Sequence, residues 1–399
     1  MSAQPRIGCA VSASSRIVKR RRRNPPPGPE TTEIEMRFVS CYGRLVKILA
    51  LVLAVFGSGF LTEARAELVK LGQATGTSLT FGPIYAAIEL GYFKEEDIKL
   101  EILEFQGASV LLPQVANGSV TIGFPGPDPL IISNQPGRDP IPVKFFYDGA
   151  RESIWEFLVP ADSPLKALSD LKGKVIGVGA LANANVPITR AMLKEIGLEP
   201  TRDYSFLAIG VGAQAFRATE NKQVDTYNTF DTNIAAFENT GAELRRLPQE
   251  QKYKDLFSNG FAASDELIKN NPKMLAGFGR ALTKGIIACE TNPDFCVWNF
   301  YHYCPTLKPA GATESEVLEK GRHILASRMG KYLAFPAGRP RRFGEYPESS
   351  WKNFVKALYL GGELSSPDID VSKLYTNEFV DQFNKFDIGA VQRDAESRK

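Results

Sequence analysis

The sequence predicts an α/β protein built from two lobes. Three observations lead there: a strand, loop and helix pattern runs through 68–124 and restarts over 165–239; apolar runs at 143–147 and 155–159 separate the two copies; and the chain turns mainly helical from about Ser264. Each copy implies a parallel sheet with crossover helices. The 333 residues after position 66 also exceed one typical core, which favours two.

The first copy opens with a strand over 68–73 and a polar loop over 75–83. Ile84, Ala87 and Ile88 then fall at helical spacing, with Gly91 as terminator. A strand over 100–105, the loop 106–109, a helix carrying Leu111, Leu112, Val115 and Ala116, and a strand over 120–124 complete a βαβαβ unit. In the second copy, Lys172-Gly173-Lys174 precedes a strand over 175–178, and Pro187 opens a helix that ends at Ile196-Gly197. Strand 206–210, helix 213–219, strand 224–226 and helix 231–239 follow.

The tail reads as helices over 272–289, 294–303, 314–327, 349–360 and 377–383. Helices without strands must pack on an existing sheet, and the simplest arrangement returns the chain to the first lobe. Two linkers then cross between lobes, near 155–163 and 255–263. Lobe one is expected over 67–158 and 259–399, and lobe two over 159–258. No repeat of solenoid period is present.

Ahead of the first strand, 36–66 has the form of a cleaved export signal. Arg37, Arg44 and Lys47 precede an apolar run of 14 residues at 48–61, and Ala64-Arg65-Ala66 gives the small-x-small pattern of a cleavage site. Spanning a bilayer takes about 20 residues, so no anchor is expected. Cys41 lies before the apolar run, where lipid attachment would not survive cleavage. Residues 1–35 hold a basic run, 19–23, and then Pro25-Pro26-Pro27; such a stretch forms no core, and Met36 is the expected start. Residues 1–66 carry 11 Lys or Arg and 4 Asp or Glu, so the chain's 48 and 45 become 37 and 41 without them. The folded part is mildly acidic and has no electrostatic footprint for nucleic acid.

Three cysteines follow the signal. A helix at 293–303 sets Cys296 and Cys304 two turns apart, too far to bond, whereas Cys289 and Cys296 can meet across Thr291-Asn292-Pro293. Buried thiols fit the aromatic surroundings equally well. No His or acidic residue at suitable spacing points to a metal.

Ligands of open α/β sheets sit beyond the carboxyl ends of the strands. The loops there are small and polar. Lobe one offers Thr77 and Ser78, then Gln106, Gly107 and Ser109, then Phe124, Gly126 and Asp128; lobe two offers Gly179, Asn183, Asn185, Gly212, Phe230 and Asp231. Several run into helix N-termini, which favour anionic or acceptor groups, though Ser109, Asn185 and Asp231 equally suit helix caps. Phe81, Tyr85, Phe105, Phe124, Trp155 and Phe230 border the loops and can stack on a planar ligand or fill core.

Enzymatic signatures are weak. The stretches 177–182 and 210–215 match a relaxed dinucleotide fingerprint, but neither following strand ends in the acidic residue that holds a ribose. His302 and His323 both fall in expected helices, and no Gly-x-Ser-x-Gly or His-Glu-x-x-His occurs. No catalytic residue, metal ligand or cofactor is therefore assigned.

YAAIELGYFKEEDIKLEI (85–102), FQGASVLLPQVANGSVTIGF (105–124), SPLKALSDLKGKVIGVG (163–179), NKQVDTYNTF (221–230) and LYTNEFVDQFNKFD (374–387) form an ordered set. The set resembles the periplasmic solute-binding proteins of ABC importers, in the group related to nitrate, taurine, alkanesulfonate and thiamine-precursor binders. The resemblance implies a type II periplasmic binding protein fold, with two α/β lobes and a ligand cleft between them that closes by hinge motion. It implies delivery of a sulfonate, nitrate-like anion, pyrimidine or aromatic acid to a permease and its ATPase, by a periplasmic monomer that performs no chemistry. Alternatives are a sensory ligand-binding module or a thiamine-pyrimidine synthase; the yeast synthase uses a Cys-rich iron-binding run that this chain lacks. At loop level the resemblance places the same polar loop residues on the ligand.

Overall fold

Short parallel strands whose apolar residues alternate into helical cover define both halves of the chain. The computed structural model describes residues 66–398. The expected leader, 1–35, and all of the expected signal but Ala66 lie outside the described residues.

In the first lobe, β1 (Glu67–Gln73) buries Val69 and Leu71 and pairs in parallel with β2 (Ile98–Glu104) on one side and β3 (Ile122–Phe124) on the other. Between β1 and β2, a 3-10 turn at Leu79–Phe81 leads into α1 (Gly82–Glu89), followed by the short α2 (Tyr92–Glu95). α3 (Ala108–Ala116) connects β2 to β3, and α4 (Asp128–Ser133) leads on to β4 (Val143–Asp148).

The chain then crosses to a second sheet, and it does so earlier than the sequence suggests. β5 (Trp155–Pro160) already pairs antiparallel with strands of the second lobe, so the crossing lies at 149–154 and not at 155–163. The apolar run at 155–159 is a strand end to end, with no residue left over for a linker. The second lobe continues with β6 (Lys174–Val178), α5 (Asn185–Glu195), β7 (Tyr204–Ala208), α6 (Ala213–Glu220), β8 (Thr226–Phe230), α7 (Asp231–Glu238) and β9 (Leu244–Arg246). After α8 (Gln251–Lys254), the chain returns through β10 (Gly260–Ser264), which inserts between β3 and β4.

The strand orders are β2-β1-β3-β10-β4 and β7-β6-β8-β5-β9. Both sheets are mixed, not purely parallel, because the strand that follows each crossing enters its new sheet antiparallel. Three shared traits, the equal strand order, the reversed fourth strand and the two crossings, make this a type II periplasmic binding fold with a cleft between the lobes.

The helical tail comprises α9 (Asp265–Asn270), α10 (Pro272–Thr291), α11 (Pro293–Tyr303), α12 (Glu314–Tyr332), α13 (Glu348–Leu360), α14 (Val380–Phe383) and α15 (Ile388–Glu396). α10 and α11 cover α1, as an all-lobe-one tail requires. α12 and α13 depart from that expectation. α12 packs on α7, and α13 lies on α5 so closely that a Cβ on Gly361 would come 2.2 Å from the Ala191 Cα. A disulfide joins Cys289 to Cys296 across the α10–α11 corner, and Cys304 is buried outside it.

Candidate functional site

The carboxyl ends of β1, β3, β6 and β8 converge on the cleft. Its empty space is about 440 Å³, part of it continuous with solvent. Ala74 and Thr75 follow β1, Thr80 and Phe81 come from the 3-10 turn, Ala108 from the head of α3, and Phe124 and Gly126 from the end of β3. From the other side come Ile154 and Trp155 at the start of β5, Asn183 and Ala184 before α5, and Phe230 at the end of β8. Asn259 of the return crossing and Arg328 of α12 complete the wall.

Four aromatic rings dominate this wall. Phe81 and Phe124 meet edge to face with centroids 5.6 Å apart, and Phe124 is braced behind by Phe261 at 4.5 Å. Opposite them, Trp155 stands perpendicular to Phe230 at 6.0 Å. Edge-to-face pairing fixes the rings in place, and among the four Trp155 is the most exposed.

The cation on the wall is already engaged. Arg328 donates from Nε to Asp231 Oδ2 at 2.8 Å and from Nη2 to Asp231 Oδ1 at 2.5 Å, a bidentate pair with both side chains buried. Burial works against the Arg328 charge, but the Asp231 carboxylate outweighs it and holds the guanidinium protonated more firmly than usual. Beside the pair, the Thr80 and Thr232 hydroxyls lie 2.8 Å apart, and the Tyr332 hydroxyl donates to the Thr80 carbonyl at 3.1 Å. Burial, opposed by Arg328, raises the Tyr332 phenol.

Polar groups able to read a ligand edge are few. Asn259 spends Nδ2 on the Phe124 carbonyl at 3.2 Å, and Asn183 lines the opposite side of the cleft. The Asn183 amide rests against Gly179, where a Cβ would lie 2.8 Å from Nδ2.

The expected site residues divide by position. Phe124, Gly126, Asn183 and Phe230 line the cleft. Asp231 lies directly behind the wall as the partner of Arg328, and Gly179 behind Asn183. Gly107, Ser109, Gly126 and Asp128 mark the seam where the lobes touch. The Ser109 N–H donates to the Ala182 carbonyl at 3.3 Å, and a Cβ on Gly107 would come 2.4 Å from that oxygen. Asn185 is buried against β8, where its amide donates to the Asn228 carbonyl at 3.2 Å.

The remaining expected residues stand away from the wall. The Thr77 N–H donates to Glu104 at 2.6 Å, Ser78 caps the 3-10 turn, Gln106 is exposed, and the Gly212 N–H donates to Asn233 at 3.0 Å at the head of α6. Nor are Ser109, Asn185 and Asp231 the helix caps their types suggest: Gly107, Ala184 and Phe230 hold those positions. Arg328 and Asn259 were invisible to loop-based reasoning. Arg328 falls on the buried stripe of α12 formed by Val317, Gly321, Leu325, Met329 and Tyr332, and a charge on an apolar stripe is a signal that pattern reading can use.

Residues 78–295 match the family described as NMT1/THI5 like. Riboflavin-binding protein RibY of Chloroflexus aurantiacus is 23% identical over 326 residues, covering 80% of this chain and 87% of its own. The formylaminopyrimidine-binding protein of Halalkalibacterium halodurans is 23% identical over 272 residues, covering 62% and 76%. Among solved structures, the alkanesulfonate-binding protein SsuA of Xanthomonas axonopodis pv. citri, bound to MOPS, superposes with a TM-score of 0.56 at 16% identity, over 77% of this chain and 98% of its own. These named relatives are binding proteins, not enzymes. With two mixed sheets, a cleft at their strand ends and this sequence match, the chain belongs to the NMT1/THI5-like family.

Proposed function

We propose that this chain is the solute receptor of an ABC importer, closing its two lobes on a flat heteroaromatic ligand of little net charge. The observation that carries this reading is the wall itself: Phe81 and Phe124 face Trp155 and Phe230, and the cation among them, Arg328, is already satisfied by Asp231. A sulfonate or nitrate brings a full negative charge, and desolvating it without an unspent cation costs several kcal/mol. A flat ring instead gains about 0.5–1.5 kcal/mol per aromatic partner beyond its area burial. Asn183 and Thr75 supply edge contacts that give orientation. The names of the riboflavin- and formylaminopyrimidine-binding relatives support the same ligand class.

The signal pattern at 36–66 supports export to the periplasm, and no described helix is long and apolar enough to cross a membrane. There the receptor works as a monomer, handing its ligand to a permease driven by an ATPase. No reaction is assigned to it.

A thermal-shift and calorimetric screen of riboflavin, formylaminopyrimidine, taurine and nitrate tests the ligand class. A heteroaromatic compound at about 100 times its Kd raises stability by about 2.7 kcal/mol. Stabilisation by taurine or nitrate, with none by either heterocycle, overturns it.

A further inference from the structure

Asp128 is one of the expected site residues that do not line the cleft. It opens α4 in lobe one, is 1% exposed, and its Oδ1 has no hydrogen-bond partner among the described residues. It lies at the seam: a Cβ on Gly126 would sit 2.3 Å from the Ala184 Cβ of lobe two and 3.3 Å from the Asp128 Oδ2.

The charged groups facing it come from two other elements. Arg190 projects from α5 and is spent on Glu363, which follows α13, through contacts of 2.5 and 2.7 Å. Tyr204 of β7 is close enough to act on Arg190, and its hydroxyl is buried without a partner among the described residues. α3, which packs on α4, carries no ionisable side chain. The same segment beyond α13 reaches lobe one through Ser365, whose N–H and hydroxyl both donate to Gln135 Oε1 at 3.0 Å. One carboxyl is therefore sealed between the lobes with its nearest cation bound to another acid.

We infer that closing the cleft takes up one proton at Asp128, so that acid conditions favour the closed receptor. An ionised carboxylate buried here has no donor for Oδ1 among the described residues, and separation of the seam exposes it to solvent. Burial is also the main cause that holds the Asp128 carboxyl well above the ordinary range, with Glu363 adding to it and its own N–H and Arg190 opposing. Over the pH range in which open Asp128 is ionised and closed Asp128 is not, the closure equilibrium shifts by about tenfold per pH unit. The inference rests on the reading of this chain as a closing receptor, and on no particular ligand.

The test uses ligand-free protein carrying nitroxides at Ser119→Cys and Glu220→Cys, exposed positions on opposite lobes. Pulsed dipolar spectroscopy from pH 5.5 to 8 should show a short-distance population that grows as pH falls. Asp128→Asn, an uncharged isostere, should hold that population high and independent of pH, while Asp148→Asn should keep the wild-type response. If Asp128→Asn fails to fold by circular dichroism, Asp128→Ser replaces it, and the wild-type series stands by itself. Wild-type distances that do not change with pH, or an unaltered pH response in Asp128→Asn, overturn the proposal. A distance change on adding a ligand in the same samples would leave the receptor reading standing even then.

Discussion

Arg328 and Asp231 form a bidentate ion pair in which the side chains keep 2% and 9% of their exposure, joining α12 to the head of α7 at the base of the cleft. A pair this buried stabilises little against an apolar replacement, but either half without the other is costly. Arg328→Met should destabilise by about 3–5 kcal/mol, because the Asp231 carboxylate is left buried and uncompensated. Arg328→Met with Asp231→Leu should recover most of that loss. Urea unfolding of the three proteins gives the comparison, and equal stabilities for single and double variants would mean that Asp231 is solvated in the folded state.

The seam glycines set how far the lobes close. At Gly126 an added Cβ meets Ala184 at 2.3 Å, and at Gly107, with φ +113, it meets the Ala182 carbonyl at 2.4 Å. Real Cβ atoms do not approach so closely, so the substitution must hold the lobes apart. Gly126→Ala should weaken ligand affinity by about tenfold or more while changing the melting temperature of the ligand-free protein little, since an open receptor relieves the clash. Gly107→Ala adds backbone strain to the same effect. Calorimetric titration beside a melting curve checks both.

Trp155 is half-buried at the mouth of β5, whereas Phe124 is braced by Phe81 and Phe261. Truncating the two should separate binding from folding. Trp155→Ala should cost about 1–3 kcal/mol of affinity with a smaller loss of stability, and Phe124→Ala should cost about 3–5 kcal/mol of stability as a core deletion. Tryptophan fluorescence should respond to ligand in the wild type and lose that response in Trp155→Ala. A response unchanged by the substitution would assign it to Trp298 or Trp351.

The Cys289–Cys296 bridge closes a short loop behind α1, with Cys296 Sγ 3.0 Å from where a Gly82 Cβ would lie. Loop entropy for so short a ring is worth about 2.5 kcal/mol. Cys289→Ala with Cys296→Ala should lower unfolding stability by about that much and leave ligand affinity within about twofold. A large loss of affinity would place the bridge in control of Phe81, the neighbour of Gly82.

The two-lobe plan was legible because β1, β2, β3 and β6 carry apolar residues bounded by Gly-rich or polar loops. β8 was not: a strand was expected over 224–226 with a loop beyond, yet Thr226–Phe230 is wholly buried. Its polar side chains are satisfied inside, Thr226 on the Leu158 carbonyl at 2.8 Å and Asn228 on the Glu156 carbonyl at 3.2 Å, so a central strand reads as a loop. β10, Gly260-Phe261-Ala262-Ala263-Ser264, is built mostly of small residues and has little alternation to find. For the site, loops at strand ends gave Phe124, Gly126, Asn183 and Phe230, because topology fixes where such loops go. Arg328 came from a helix outside both βα units, and only tertiary packing brings it to the cleft.

Asp148 ends β4 where the chain first crosses between lobes. Its side chain is 2% exposed, Oδ1 has no hydrogen-bond partner among the described residues, and Arg151 Nη1 stands 3.5 Å from Oδ2. Burial raises this carboxyl to about 7, with Arg151 opposing. The unfolded chain releases the same proton near the ordinary carboxylate value of about 3.9. Between roughly pH 4 and 7 the folded state thus binds more protons than the unfolded one, and linkage makes this contribution to stability fall as pH rises. It is fully present below about pH 4 and lost by the time pH passes 7. Asp148→Asn removes the proton exchange, so its stability relative to wild type should increase from pH 4 to pH 8 by on the order of 3 kcal/mol. Denaturant midpoints of both proteins at four pH values measure that difference. A difference that stays flat would show Arg151 compensating the charge in full.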